Sequence, residues 1–410
     1  MGSDGITHPH DSRMPRKSVK TSIWNRFLKD QIQKVKTGDR YRCLQTFDTF
    51  QPGYLLQGNK RYLNLCANDY LGLAADPLSM EETRLLAEIL PVGAGASRLI
   101  TGTLAIHQEL ERVLADWKTT EAALVFPSGF QTNFGLISAL TGKGDAVFCD
   151  KLNHASIIDG CRYSDAAFYR YKHGDLDELN DLLKSKRPHK RLIITDGVFS
   201  MDGDIAPLKE LNDLAKHYDA LLLVDEAHAT GVLGRQGAGS WSHFDLQWEE
   251  HVLLMGTLSK AIGCQGGFVC ASRRIIDYLT NYCRSFIYST ALSPLLAGVA
   301  HYNIQRIRTE PQRMTLLQNA IGIMRNGLRK KNIAIDDSPV PILSVVLGEC
   351  KHAMQCAKLL QKKGFVIVAI RPPTVPEGTS RLRISLSAAH EADDLQKASE
   401  WIAKIIAKEG

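Results

Sequence analysis

The sequence predicts an α/β protein: a mostly parallel, seven-stranded sheet with helices on both faces, followed by a smaller α+β C-terminal domain. Two observations predict the sheet. Apolar runs of the length of fully buried strands recur at residues 122–126, 146–149, 167–171, 191–195, 220–224, 252–255 and 267–271. Most are separated by helical or glycine-bearing segments, the alternation expected when helices connect parallel strands. A third observation predicts the second domain. From about Leu292 the pattern changes: Ser293-Pro294 breaks the chain, a long helical stretch runs through Val299, Ile304 and Ile307, and strands follow at 342–347, 365–370 and 382–386.

Taken in order, residues 1–20 mix Gly, Ser, His, Pro and Lys-Arg without period and read as a disordered leader or tag. Residues 21–65 form a helix and arm, with Trp24, Phe27, Leu28, Ile32 and Val35 at helical spacing. The large domain spans 66–291. Its segment 93–103 is too rich in small residues for an ordinary helix and too apolar for a linker, so it suits a close backbone approach. A helix over 106–117 buries Leu110, Val113, Leu114 and Trp117 and turns Glu109 and Glu111 outward. The small domain spans 292–410 and ends in a helix from about Ala392 that buries Leu395, Ala398, Ile402 and Ile405.

Composition narrows the class. With 44% hydrophobic and 23% charged residues, the chain is neither disordered nor fibrous. Its net charge of +6 is small for its length and its basic residues are spread along it, which gives no case for nucleic acid. The nine cysteines form no CxxC pair, so a reducing cytoplasm is the expected compartment. No apolar stretch reaches the roughly 20 residues of a membrane span, and the N-terminus has no apolar core of a signal peptide.

Chemistry concentrates just past the predicted strand ends. The run 252–255 leads into Thr257-Leu258-Ser259-Lys260 and a glycine-rich turn, which presents Lys260 as a candidate nucleophile beside two hydroxyls able to hold an anion. The run 220–224 ends in Asp225-Glu226-Ala227-His228, and a carboxylate at the end of a buried strand requires a partner. Pyridoxal phosphate supplies one in its ring nitrogen, and its aldehyde accepts a lysine. Pro127-Ser128-Gly129 joins a strand to a helix, so Gly129 and Phe130 offer free backbone N–H groups to a phosphate; alone this is a weak signal. Because ligands gather at the carboxyl ends of parallel strands, Ser128, His154, Ser200, Asp225, His228 and Lys260 are expected in one pocket.

The order of apolar strand, Asp225, His228, apolar strand and Lys260 resembles the fold-type I pyridoxal-phosphate enzymes, and more narrowly the α-oxoamine synthases. The resemblance extends from about Arg42 to the C-terminus through Asn68-Asp69-Tyr70-Leu71-Gly72-Leu73, Asn153-His154-Ala155-Ser156, Ser200-Met201-Asp202-Gly203-Asp204 and Pro372-Pro373-Thr374-Val375-Pro376 with Arg381-Leu382-Arg383. It implies pyridoxal phosphate held by Lys260, Asp225, Gly129, Phe130, Thr257 and Ser259, with His154 against the ring and Ser200 and His228 at its oxygen. It implies Lys260, His154 and Asp225 as catalytic residues. It implies substrate contacts at Arg42, Asn68, His154, Thr374 and Arg383, the last binding an amino-acid carboxylate; otherwise Arg383 is an exposed charge on an edge strand.

By the same resemblance the enzyme is a homodimer with its active site at the interface, Ser289-Thr290 reaching the neighbour's phosphate. The wording of these motifs is most similar to members that condense L-alanine with a pimeloyl thioester, on CoA or a carrier protein, in biotin synthesis. Members using glycine and acetyl-CoA, or longer acyl-CoA donors, are alternatives, and a catalytically silent scaffold subunit is a remote one. Thr101-Gly102-Thr103 and Cys264 depart from the family's forms. No metal is implied.

Overall fold

The computed structural model describes residues 22–38 and 40–409; the leader or tag expected at 1–20 lies outside them. The chain forms two compact units, Met1–Thr46 and Phe47–Gly410. In the first, helix α1 (Ile23–Thr37) starts at Ser22, whose side chain accepts from Asn25 N–H, and every one of its side chains is exposed.

The second unit opens with three short antiparallel strands, β1 (Thr49–Gln51), β2 (Tyr54–Gln57) and β3 (Lys60–Asn64). Helices α2 (Pro77–Leu86) and α3 (Ala105–Trp117) lead into β4 (Ala122–Phe126), α4 (Gly129–Leu140), β5 (Ala146–Asp150), α5 (Ala155–Tyr163) and β6 (Ala167–Tyr171). After β7 (Arg191–Asp196), β8 (Ala220–Asp225), β9 (Val252–Thr257) and β10 (Gly267–Ala271), the sheet is complete with the order β4-β10-β9-β8-β7-β5-β6. Strand β10 is the one reversed strand, antiparallel to both β4 and β9, so β5, β7, β8 and β9 present their carboxyl ends along one edge.

Strand residues alternate between two cores. Phe126, Val147, Ile194, Leu223 and Met255 pack with Leu136 and Ile157 of the helices on one face. Val125, Phe148, Ile193, Val224 and Leu254 pack with Leu110, Leu114 and Leu211 on the other. A sheet covered on both faces explains why its strands read as unbroken apolar runs.

Beyond helices at Pro294–Thr309 and Gln312–Arg329, strands β11 (Ile342–Gly348), β13 (Val368–Ile370) and β14 (Ser380–Ser385) form a three-stranded sheet. The expected strand over 365–370 is divided: β12 (Phe365–Val366) pairs in parallel with β3, and β13 pairs with β14. Strand β14 lies between β11 and β13, and both Arg381 and Arg383 are buried, which removes the edge-strand reading of Arg383. Glu111 also corrects an expectation. It turns inward and accepts from both Nη atoms of buried Arg98, at 2.8 and 3.0 Å. Arg98 opens a single helical turn, Arg98–Gly102, within the small-residue segment. A Cβ on Gly102 would lie 2.2 Å from the Ala96 carbonyl oxygen, so the turn admits only glycine there.

Candidate active site

The strand ends enclose a cavity of about 260 Å³ lined by Ser128, Gly129, Phe130, His154, Ser200, Asp225, His228, Thr257, Ser259 and Lys260. These residues arrive at the ends of five strands, β4, β5, β7, β8 and β9, and each connection is fixed locally. Ser128 caps α4 by accepting from Gln131 N–H, and the N–H groups of Gly129 and Phe130 begin the helix, where no intrahelical acceptor exists. Thr257, at the end of β9, has Oγ1 2.7 Å from Ser259 Oγ, and it donates to the Gly266 carbonyl. Gly267 pairs with Thr257, and a Cβ there would sit 2.7 Å from Gly129 N; this glycine lets β10 approach the first turn of α4. A helix N-terminus and two hydroxyls thus converge on the cavity, an anion-binding donor set.

The lining also carries two acids. Asp225 Oδ2 accepts from Asn133 Nδ2 at 2.7 Å and Oδ1 from Ala227 N–H at 2.9 Å. Asp196, its register partner on β7, is also buried on the cavity wall. Burial, and then the Asp225 charge, push the Asp196 carboxyl well above the usual carboxylate range. Lys260 Nζ makes no hydrogen bond among the described residues. Burial lowers its amine to about 8 against the pull of Asp225 and Asp196, so a sizeable neutral fraction exists near neutrality.

His228 Nδ1 lies 2.6 Å from the Tyr70 hydroxyl. His154 caps α5, and its Nδ1 lies 2.8 Å from Ser156 Oγ. Asn68 and Arg383 stand behind the cavity lining. Arg383 donates from Nε to the Ser200 carbonyl at 2.6 Å, from Nη1 to Ser385 Oγ at 2.8 Å, and from both Nη atoms to Asn68 Oδ1 at 3.3 Å. All of these acceptors are neutral, and Arg383 pairs with no carboxylate among the described residues, whereas Arg381 pairs with Asp202.

Besides Asn68 and Arg383, three expected site residues do not line the cavity. Thr374 is exposed in a turn before β14, and Thr290 is exposed in an isolated bridge to Ser97. Arg42 is exposed in the first unit. Six lining residues were missed by sequence reasoning: Asn133, Ser156, Asp196, Val198, Ala227 and Met255. Asp196 carried a usable signal, a carboxylate ending an apolar strand as Asp225 does. Asn133 lies inside an apolar helix, and nothing local marks it.

Pyridoxal phosphate fits this donor set: an anion cradle, a hydrogen-bonded carboxylate and an unpartnered amine lining one cavity. The chain belongs to the aminotransferase class I and II family, whose profile matches residues 60–402. It is a pyridoxal-phosphate-dependent enzyme of that family's fold. A relative from Methylococcus capsulatus, 41% identical over 92% of this chain and 98% of its own length, is named 8-amino-7-oxononanoate synthase. Among solved structures, a serine palmitoyltransferase from S. paucimobilis with a bound PLP–myriocin aldimine superposes with a TM-score of 0.88. It is 29% identical, over 95% of this chain and 99% of that one. An 8-amino-7-oxononanoate synthase from Francisella tularensis superposes with a TM-score of 0.74, also at 29% identity, over 85% of this chain and 98% of that one.

Proposed function

We propose that this enzyme condenses L-alanine with a pimeloyl thioester, carried on CoA or a carrier protein. The products are 8-amino-7-oxononanoate, carbon dioxide and the free thiol, a step of biotin synthesis. The observation that carries the reading is the convergence of Asp225 and unpartnered Lys260 on one cavity with an anion cradle. Relatives named for this reaction at 41–46% identity support the choice of substrates.

When bound, pyridoxal phosphate supplies a carbonyl that takes the amino acid's nitrogen and a cationic ring that absorbs the electron pair released at the α-carbon. Asp225 is the counter-ion for the ring nitrogen, and Asn133 keeps that carboxylate in place. Gly129 and Phe130 N–H, Thr257 and Ser259 hold the phosphate, with Thr290 contributed by a second copy of the chain. His154 would pack against the ring, and Ser200 and His228 would hold its oxygen. Lys260 would carry the cofactor and would take the α-proton of alanine on Nζ, for which a pKa near 8 suits it. Arg383, free of any carboxylate among the described residues, binds that of alanine, with Asn68 holding the guanidinium. Arg42 and Thr374 serve in substrate binding.

In this reading residues 66–291 form the cofactor domain and 292–410 the domain that supplies Thr374 and Arg383. The working form is a homodimer with its active site at the interface. The cytoplasm suits nine free cysteines and a chain in which no helix among the described residues is long and apolar enough to cross a membrane. The test is colour and turnover. Purified protein loaded with pyridoxal phosphate is expected to have a visible absorbance band that borohydride removes. Lys260→Ala loses band and turnover together, and a variant that kept both would overturn the role of the lysine. Assays pairing alanine, glycine and serine with pimeloyl, acetyl and long-chain thioesters separate this reaction from those of other α-oxoamine synthases; a preference for glycine with acetyl-CoA would refute it.

A further inference from the structure

Tyr70 has no part in the roles assigned above, yet it touches two residues that do. Its side chain is fully buried, and its hydroxyl lies 2.6 Å from His228 Nδ1 and 3.2 Å from Asn68 Oδ1. The protons in this group can be counted. Burial raises the phenol to about 12, so the hydroxyl keeps one proton throughout the working range. Burial, then the charges of Lys260, Arg383 and His154, hold the His228 ring well below its ordinary value, so the imidazole is neutral and carries one proton on two nitrogens.

The placement of those two protons follows from the neighbours. Both Nη atoms of Arg383 lie 3.3 Å from Asn68 Oδ1. A guanidinium only donates, so that Asn68 atom is the amide oxygen, already shared by two donors. The shorter and less contested acceptor for the Tyr70 proton is His228 Nδ1. With Nδ1 accepting, the ring proton resides on Nε2, which makes no hydrogen bond among the described residues and belongs to a side chain lining the cavity.

We propose that Tyr70 is a positioning residue that fixes the tautomer of His228: its hydroxyl donates to Nδ1, leaving Nε2–H as the donor available to the cavity. The inference rests on the reading of His228 as the residue that holds the cofactor's ring oxygen, and it supplies what that reading requires. An ionised oxygen needs a donor, and only this tautomer offers one from Nε2. Tyr70 also brings the substrate side into the same group, since its second neighbour, Asn68, holds Arg383.

The test reads the ring directly. In holoenzyme labelled with ¹⁵N in the histidine rings, the His228 signals are assigned by their disappearance in His228→Gln. Near neutral pH they are expected to report a protonated Nε2 and an unprotonated, hydrogen-bonded Nδ1. Tyr70→Phe removes one oxygen. It is expected to lose the hydrogen-bonded Nδ1 signature and to move the pH midpoint of the visible band. It should lower kcat roughly tenfold with KM for either substrate within about twofold, as for one buried hydrogen bond acting in the reaction. Protonated Nδ1 in the wild type would overturn the proposal, and so would wild-type ring signals and midpoint in Tyr70→Phe. The wild-type measurement decides the matter even where the variant fails to fold. A wild type with no visible band refutes the cofactor reading while the tautomer still stands to be read. A normal band with Nδ1 protonated refutes the tautomer alone.

Discussion

Asp196 and Asp225 face each other at the ends of adjacent parallel strands, and only Asp225 is well supplied with donors. Asn133 Nδ2 and Ala227 N–H serve both of its oxygens, whereas Asp196 has one contact at 3.2 Å, from His154 N–H, and its Oδ1 has no partner. Two buried carboxyls this close cannot both ionise cheaply. Burial and the neighbouring Asp225 raise Asp196, the member of the pair with fewer donors, so it is Asp196 that keeps a proton.

Neutral Asp196 is nearly isosteric with asparagine, so Asp196→Asn is expected to hold pyridoxal phosphate within roughly threefold of wild type, whereas Asp225→Asn loses turnover by orders of magnitude. The pH dependence of stability separates them further. With its folded pKa above the unfolded value of about 3.9, Asp196 retains a proton that the unfolded chain releases, so folding is progressively penalised as pH rises through and above that value. Melting curves of the cofactor-free protein should lose this downward component in Asp196→Asn. An unchanged profile would mean that Asp196 is ionised when folded.

Lys260 gives a prediction for loading. Only the free amine attacks an aldehyde, and burial brings this amine to about 8. The rate at which cofactor-free protein takes up pyridoxal phosphate should climb with pH and level off above about 8. A rate still rising beyond pH 10 would indicate an ordinary, unperturbed lysine.

The sheet was legible because burial on both faces leaves its strands as apolar runs, and the lysine and aspartate because strand ends are where such a sheet exposes chemistry. Other features depend on partners far along the chain. Glu111 reads as an exposed helix residue until Arg98, thirteen positions earlier, is folded against it. The division of 365–370 between two sheets follows from pairing with β3, about 300 residues away, which no local pattern encodes. Asn133 is invisible for the same reason, since Asp225 reaches it only across the sheet edge.

His173 links β5 to the loop that carries Ser200. Its Nδ1 lies 3.1 Å from both oxygens of Asp150, and its Nε2 lies 2.9 Å from Asp204. Hydrogen bonds to Asp150, then Asp204, raise the ring to about 10. A folded pKa above the unfolded value of 6.5 means that the stabilisation is complete below pH 6.5 and is lost as pH rises towards 10. The melting temperature of wild type should fall across that interval, and His173→Gln should flatten the fall while lowering stability at pH 6. Parallel curves for the two proteins would count against a charged His173.

The residue after Asp225 anchors the turn from behind. Glu226 Oε2 accepts from Lys118 Nζ at 2.6 Å, while Oε1 accepts from Ser240 Oγ and Trp241 N–H, each at 2.8 Å. Lys118 also donates to Thr230 Oγ1 and the Ala238 carbonyl, and both side chains of the pair are almost wholly excluded from solvent. Glu226→Gln retains an acceptor for Ser240 and Trp241 but strands a buried cation, so it should cost about 3–5 kcal/mol in denaturant unfolding. Adding Lys118→Met removes that cation, and the double variant should recover much of the loss, with a coupling of at least about 1 kcal/mol. Two additive single effects would show that the buried pair does not act as a unit, and Asp225 would then need another support.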